Sequence, residues 1–291
     1  MVTEQIANLS AGNRRPGSNP GLSAQSESLG MQNAQSQRSG HFFCVKLTPQ
    51  IGASVHDLIT SVNGELSNRA GPLSSVHPRT TMSTSHQRMY PELLERIHAL
   101  RVATLHATRL EVLQPLIAYV QAKVDADTRA RLNFICTHNS RRSQFSQIWA
   151  QTAADYFGVP VVCLSGGVEV TAFNERAVAS TERSGFEVEH GSGPNPVYVV
   201  RHSSDGEAVR AFSKVFDDPA NAGGPFAAVM TCAHADEHCP FIPDAEARVT
   251  VRYEDPKAFD DTPEEAVRYD ERSDQIASEM LYVFSQINLP S

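Results

Sequence analysis

The sequence predicts an α/β fold: a central parallel sheet with helices on both faces, preceded by a helical extension and a disordered N-terminus. Three observations carry this prediction. From residue 130 onward, short apolar runs alternate with segments of helical period, and strands separated by helices pair in parallel. Residues 89–129 show helical spacing alone. Residues 1–40 hold 21 Ser, Gly, Asn or Gln and no apolar periodicity, too little apolar surface to offset the entropy of ordering. We therefore expect residues 1–88 to be largely disordered, residues 89–129 to be the extension, and residues 130–291 to form the α/β domain.

The elements follow in order. Pro91 suits a first helical turn, where its missing N–H costs nothing, and Leu93, Ile97 and Leu100 keep helical spacing after it. Thr108 and Glu111 have the form of a capping box. Leu113, Ile117, Val120 and Val124 continue one stripe, with Pro115 expected to kink it. Leu132–Cys136 reads as a buried strand, and Arg142–Phe157 as a helix closed by Gly158. Val161–Leu164 is a second strand, and Asn174 caps a helix ending near Gly185. Val197–Arg201 and Ala211–Val215 suggest a hairpin. Phe226–Thr231 and Val249–Tyr253 are further strands. Thr262 and Glu265 again have capping-box form and open a last helix, buried through Ile276, Met280, Phe284 and Ile287.

Composition excludes some functions. The chain has 291 residues, with 25 basic against 33 acidic side chains and a net charge of −8, which argues against a nucleic-acid partner. No run of 18 apolar residues suggests a membrane span, and no leader is legible, so a cytoplasmic location is expected. Five cysteines are too few for a disulfide scaffold and suggest reactive thiols or metal ligands instead.

The informative stretch is Cys136-Thr137-His138-Asn139-Ser140-Arg141-Arg142-Ser143. An apolar strand ends at the cysteine, and an amphipathic helix begins at the second arginine, giving the spacing C-x5-R. A loop in this position turns backbone N–H groups inward, and these donors together with the helix dipole make an anion site. Arg142 adds a planar grip on an oxyanion. The same positive field favours a thiolate at Cys136, and Ser143 can donate a hydrogen bond to the sulfur. The product is a nucleophile beside a cradle for a tetrahedral anion, with residues 137–143 as its binding shell.

This run resembles the phosphate-binding loop of low-molecular-weight protein tyrosine phosphatases and of the related thioredoxin-coupled arsenate reductases, whose usual pattern is C-x-G-N-x-C-R-S. Cys136, Asn139, Arg142 and Ser143 match, while His138 replaces the glycine and Arg141 the second cysteine. Arg141 would add to anion attraction if it faces inward. Asp255-Pro256 resembles the family's general-acid loop, and a leaving oxygen needs such a proton donor. Cys232 through Cys239 is similar to the resolving-cysteine loop of the reductases. Ordinary buried thiols, or a metal site of Cys232, His234, His238 and Cys239, are the alternatives there, although adjacent His238 and Cys239 chelate awkwardly. The resemblance covers about residues 130–287 and is interrupted by residues 186–225, an insertion relative to compact members.

The resemblance implies an enzyme with Cys136, Arg142, Asp255, Cys232 and Cys239 in the catalytic roles. As an arsenate reductase it would pass a disulfide from Cys136 and Cys232 to Cys239 and on to a thioredoxin-like reductant. As a phosphatase it would hydrolyse phosphotyrosine through a cysteinyl-phosphate. No tightly bound cofactor is expected. A monovalent cation near Asn139 and Ser165 is suggested by some reductases, although Gln147 stands where a carboxylate is expected.

Overall fold

The computed structural model describes residues 89–238 and 241–290, apart from the side chain of His238. The expected disorder of residues 1–88 and the position of Cys239 lie outside the described residues. Helix α1 (Pro91–Arg101) starts with its proline in the first turn, and α2 (Ala107–Asp125) follows. Strand β1 (Ala130–Cys136), helix α3 (Arg142–Phe157), strand β2 (Val161–Gly167) and helix α4 (Glu175–Arg183) come next. Short strands β3 (Glu187–Glu189), β4 (Tyr198–Arg201) and β5 (Val209–Ala211) occupy the insertion. Strand β6 (Phe226–Met230), helix α5 (Ala233–His238), strand β7 (Ala245–Thr250) and helix α6 (Glu265–Ser285) complete the chain.

The main sheet has the order β2-β1-β6-β7, and every pairing in it is parallel. Alternation along the strands sends side chains to two separate cores. Leu132, Phe134, Ala227 and Val229 join the larger one, with residues of α1, α2, α3, α4 and α6. Ile135, Ala228 and Met230 face the other side, beneath Ala235 of α5 and Ile242. The extension is therefore part of the larger core: Leu93, Ile97, Leu113 and Val120 are fully buried in it. Trp149 is buried at the centre, and its indole N–H donates to Ser273 Oγ at 2.8 Å, which ties α3 to α6.

Several local expectations need correction. The cap of α2 is His106, whose Nδ1 accepts from Thr108 N, and Pro115 lies within one continuous helix. Leu116 is fully buried there, and Ile117 only partly. The last helix has no side-chain cap; Thr262 Oγ1 donates to Phe259 O. The hairpin is a three-stranded antiparallel sheet, β3-β4-β5, whose third strand ends at Ala211. Strand β7 begins four residues earlier than its apolar run, at Ala245, because backbone pairing to β6 extends through residues with alternately exposed side chains. The Asn174 cap and the left-handed Gly158 (φ 70°) stand as expected.

Candidate active site

The site lies where β1 ends and α3 begins, at the C-terminal edge of the parallel sheet. Cys136 is the last residue of β1, and Arg142 the first of α3. Between them the chain makes its tight turn at Asn139, which takes a left-handed backbone (φ 46°). His138, at the glycine position of the resembled pattern, has no positive φ. Its side chain is exposed, 3.3 Å from the Glu169 carboxylate.

Asn139 organises the loop from within. Its Nδ2 donates to Ser143 Oγ at 2.9 Å, and that hydroxyl lies 3.1 Å from Cys136 Sγ. Its Oδ1 accepts from Lys214 N at 3.1 Å. Gln144 Nε2 bridges Asn139 O and Phe212 O, and Ser213 Oγ donates to His138 O at 2.8 Å. The insertion is thus stitched to the outside of the loop. Gly167 closes the back of it: a Cβ there would sit 2.8 Å from Asn139 N and from Thr137 O, so only glycine permits this approach. Ser140 Oγ donates to Ala172 O at 2.7 Å.

Arg142 reaches the loop that follows β7. One of its terminal nitrogens donates to Tyr253 O at 3.1 Å, and the other to Asp255 Oδ2 at 2.7 Å. Its Nε is buried without a hydrogen-bond partner among the described residues. Asp255 also caps the turn Pro256–Phe259, accepting from Lys257 N. Arg141, expected to add to the anion grip, has its side chain engaged by the later segments: Nε donates to Tyr269 OH at 2.8 Å and lies 4.0 Å from Asp255 Oδ1, and a terminal nitrogen lies 3.5 Å from Asp260. Burial pushes the Tyr269 hydroxyl up, and its hydrogen bond to Asp260 adds to that.

Cys232 is buried, 1% exposed, in the same cluster as Cys136. Its Sγ lies 3.5 Å from Thr137 Oγ1, and Ala235 N donates to it at 3.4 Å. Thr137 Oγ1 is also 3.3 Å from His234 Nδ1. Helix α5 is fastened by Asp236, which pairs with Arg248 at 2.9 Å and Arg252 at 2.6 Å. Burial would raise the Asp236 carboxyl, but the two guanidiniums outweigh it and hold the group below its ordinary value.

Two further contributors were not legible in the sequence. Arg109 of the extension grips Glu279 with both ends of its fork, at 2.8 and 2.6 Å, and Glu279 accepts from Tyr253 OH at 2.8 Å. The extension therefore braces the segment on which Arg142 and Asp255 meet. The second is Lys214, 3% exposed, whose ammonium has no hydrogen-bond partner among the described residues and lies 4.4 Å from the Phe212 ring centre. Burial brings its pKa down to about 8.

The side chains named for a monovalent cation make hydrogen bonds of their own. Asn139 Oδ1 is engaged by Lys214 N, and Ser165 Oγ donates to Gln147 Oε1 at 2.6 Å. Gln147 and Lys214 wall one cavity.

A cysteine and an arginine framing a strand-to-helix loop, with an Asp held on the arginine, form the kind of arrangement that suits a cysteine nucleophile beside a bound oxyanion. The chain resembles low-molecular-weight protein tyrosine phosphatases and thioredoxin-dependent arsenate reductases, as its loop implied. An arsenate reductase of Halalkalibacterium halodurans is 26% identical over 132 residues, 45% of this chain and 78% of that protein. A low-molecular-weight protein tyrosine phosphatase of T. tengcongensis superposes with a TM-score of 0.35 at 17% identity, covering 52% of this chain and 95% of that one. A thioredoxin-dependent arsenate reductase of Corynebacterium glutamicum gives 0.30 at 18% identity, over 64% and 80%. No family model matches the sequence. Among the described residues, no helix is long and apolar enough to cross a membrane.

Proposed function

We propose that this protein reduces arsenate to arsenite with a cysteine nucleophile and a disulfide relay. The observation that carries the reading is the contact between the two halves of the site: Thr137, the residue after the nucleophile, lies 3.5 Å from the buried sulfur of Cys232. Hydrolysis through Cys136 would not require a second thiol against the loop. A reductase needs one.

The steps follow from chemistry. Arsenate enters the loop and meets the backbone amides and Arg142, whose unpartnered Nε offers a donor. The Cys136 thiolate attacks arsenic, with Ser143 hydrogen-bonded to the sulfur. Asp255, in its protonated form, gives its proton to the departing oxygen, which leaves as water. Cys232 then attacks Cys136 Sγ. The S–S bond forms as the S–As bond breaks, and its electron pair stays on arsenic, which passes from the +5 to the +3 state. Arsenite leaves. Cys239 then attacks Cys232, forming the Cys232–Cys239 disulfide and restoring the Cys136 thiolate. A thioredoxin-like dithiol reduces that disulfide by exchange. Such a reductant suits the cytoplasm.

Arsenate-dependent oxidation of thioredoxin tests this directly. Cys232→Ser should abolish arsenite production, and Cys136→Ser should abolish every activity. Undiminished arsenite production by Cys232→Ser would overturn the relay.

One observation favours phosphoester hydrolysis as a second reading. A cavity of about 450 Å3 opens beside the loop, walled in part by His138, Arg141, Tyr198 and Lys257. It has room for the organic part of an ester such as phosphotyrosine. Hydrolysis would use Cys136, Arg142 and Asp255 alone and would survive Cys232→Ser.

A further inference from the structure

We propose that His234 relays the proton of Cys232 to solvent through the hydroxyl of Thr137. The proposal deepens the reductase reading and rests on it.

The need for a relay comes from burial. Cys232 is 1% exposed, so water has no direct access to its thiol. Its proton must nevertheless leave as its sulfur attacks Cys136, because the thiolate is the nucleophile. The Thr137 hydroxyl stands between the thiol and an exposed imidazole, 3.5 Å from Cys232 Sγ and 3.3 Å from His234 Nδ1. A hydroxyl has one proton to give and lone pairs to accept with. With its proton on Nε2, neutral His234 offers Nδ1 as an acceptor. Thr137 then donates to His234, and the Cys232 thiol donates to Thr137, so both bonds run outward.

The step balances. Cys232 Sγ bonds to Cys136 Sγ, the S–As bond breaks, and its pair reduces arsenic. The Cys232 proton passes to Thr137 Oγ1, the Thr137 proton passes to His234 Nδ1, and the exposed imidazolium gives up a proton to solvent. Ala235 N–H, donating to Cys232 Sγ, remains to hold the developing anion. The surrounding charges are Asp236 and Glu237 on α5 and Arg252 beyond β7, with Arg252 joined to both carboxylates and interacting with Cys232. His138, the other imidazole of the loop, is paired with Glu169 instead. Among the described residues of this cluster, therefore, the imidazole that touches Thr137 is His234.

The experiment uses the full chain, reduced and mixed with one equivalent of arsenate, quenched by alkylation, with the Cys136–Cys232 disulfide read by mass spectrometry across pH 5.5–9. His234→Gln keeps a hydrogen-bonding partner for Thr137 but cannot take up a proton; His234→Ala opens a space for added imidazole. Both variants should close the disulfide more slowly at pH 7, on the order of a hundredfold. Both should lose the imidazole-dependent part of the pH profile, and imidazole should restore the rate of His234→Ala. Rates within twofold of the parent at pH 7 would overturn the proposal, as would slow closure with an unchanged pH profile and no rescue. If the parent itself forms no disulfide with arsenate, the reductase reading fails. Diamide-driven closure of the same thiol pair then decides the relay on the same comparison.

Discussion

The Arg142 guanidinium and the Asp255 carboxylate meet at 2.7 Å, so the arginine of the loop holds the group that the proposed reaction would use as its acid. An entering oxyanion must share or take that guanidinium nitrogen, which frees the carboxylate to carry a proton. Asp255→Asn keeps the shape but cannot donate a proton as an acid. We expect it to slow formation of the Cys136 adduct by about 10²–10⁴-fold, with oxyanion binding retained. Rapid-quench measurement of the adduct checks this.

Ser143→Ala removes the hydroxyl that joins Asn139 to the Cys136 sulfur. A hydrogen bond to a charged group contributes about 1.5–3 kcal/mol. The rate of Cys136 alkylation by iodoacetamide at pH 7 should therefore fall about tenfold or more. An unchanged rate would show that the hydroxyl does not support the thiolate.

Lys214 makes the fold pH-dependent in a defined direction. Its pKa falls from 10.5 to about 8 on burial, so below pH 8 the native state carries a buried charge that the unfolded chain keeps in water. Between about pH 8 and 10.5 the unfolded state binds the additional proton, and stability from this group rises with pH. Lys214→Met keeps the apolar stem and removes the charge. It should stabilise the protein at pH 7 by up to about 3 kcal/mol, and the gain should vanish near pH 10.5. Urea unfolding of both proteins at the two pH values gives the difference.

Asp236 anchors α5 through Arg248 and Arg252. Its carboxyl is held below the ordinary value, so the anchor is intact above the unfolded pKa and is lost as pH falls through the folded one. Asp236→Asn should loosen α5 at neutral pH. Faster amide hydrogen exchange across Ala233–Glu237, with β6 unchanged, is the expected result.

The strand, loop and helix around Cys136 were legible because their signals are local: an apolar run, a C-x5-R spacing and a terminal glycine within some thirty residues. The Asn174 cap was legible for the same reason. What escaped depends on contacts between distant positions. Arg141 stands beside Arg142 in sequence, but Tyr269 and Asp260 on and before α6 engage its side chain. Lys214 lies in Phe212-Ser213-Lys214-Val215, which reads as part of a surface hairpin, yet it is buried where the insertion meets the loop. His106 displaced Thr108 as a cap because an imidazole nitrogen can accept a backbone N–H as a hydroxyl does. Strand β7 carries few apolar residues at its start, so its register with β6 left no periodic trace.

Asn139 takes its final bond from an amide seventy-five positions further along the chain. During synthesis Cys136 leaves the ribosome well before that partner does. Until residue 214 has been made, the turn beside Cys136 lacks the amide that Asn139 Oδ1 accepts from, so this part of the site is completed only with the insertion.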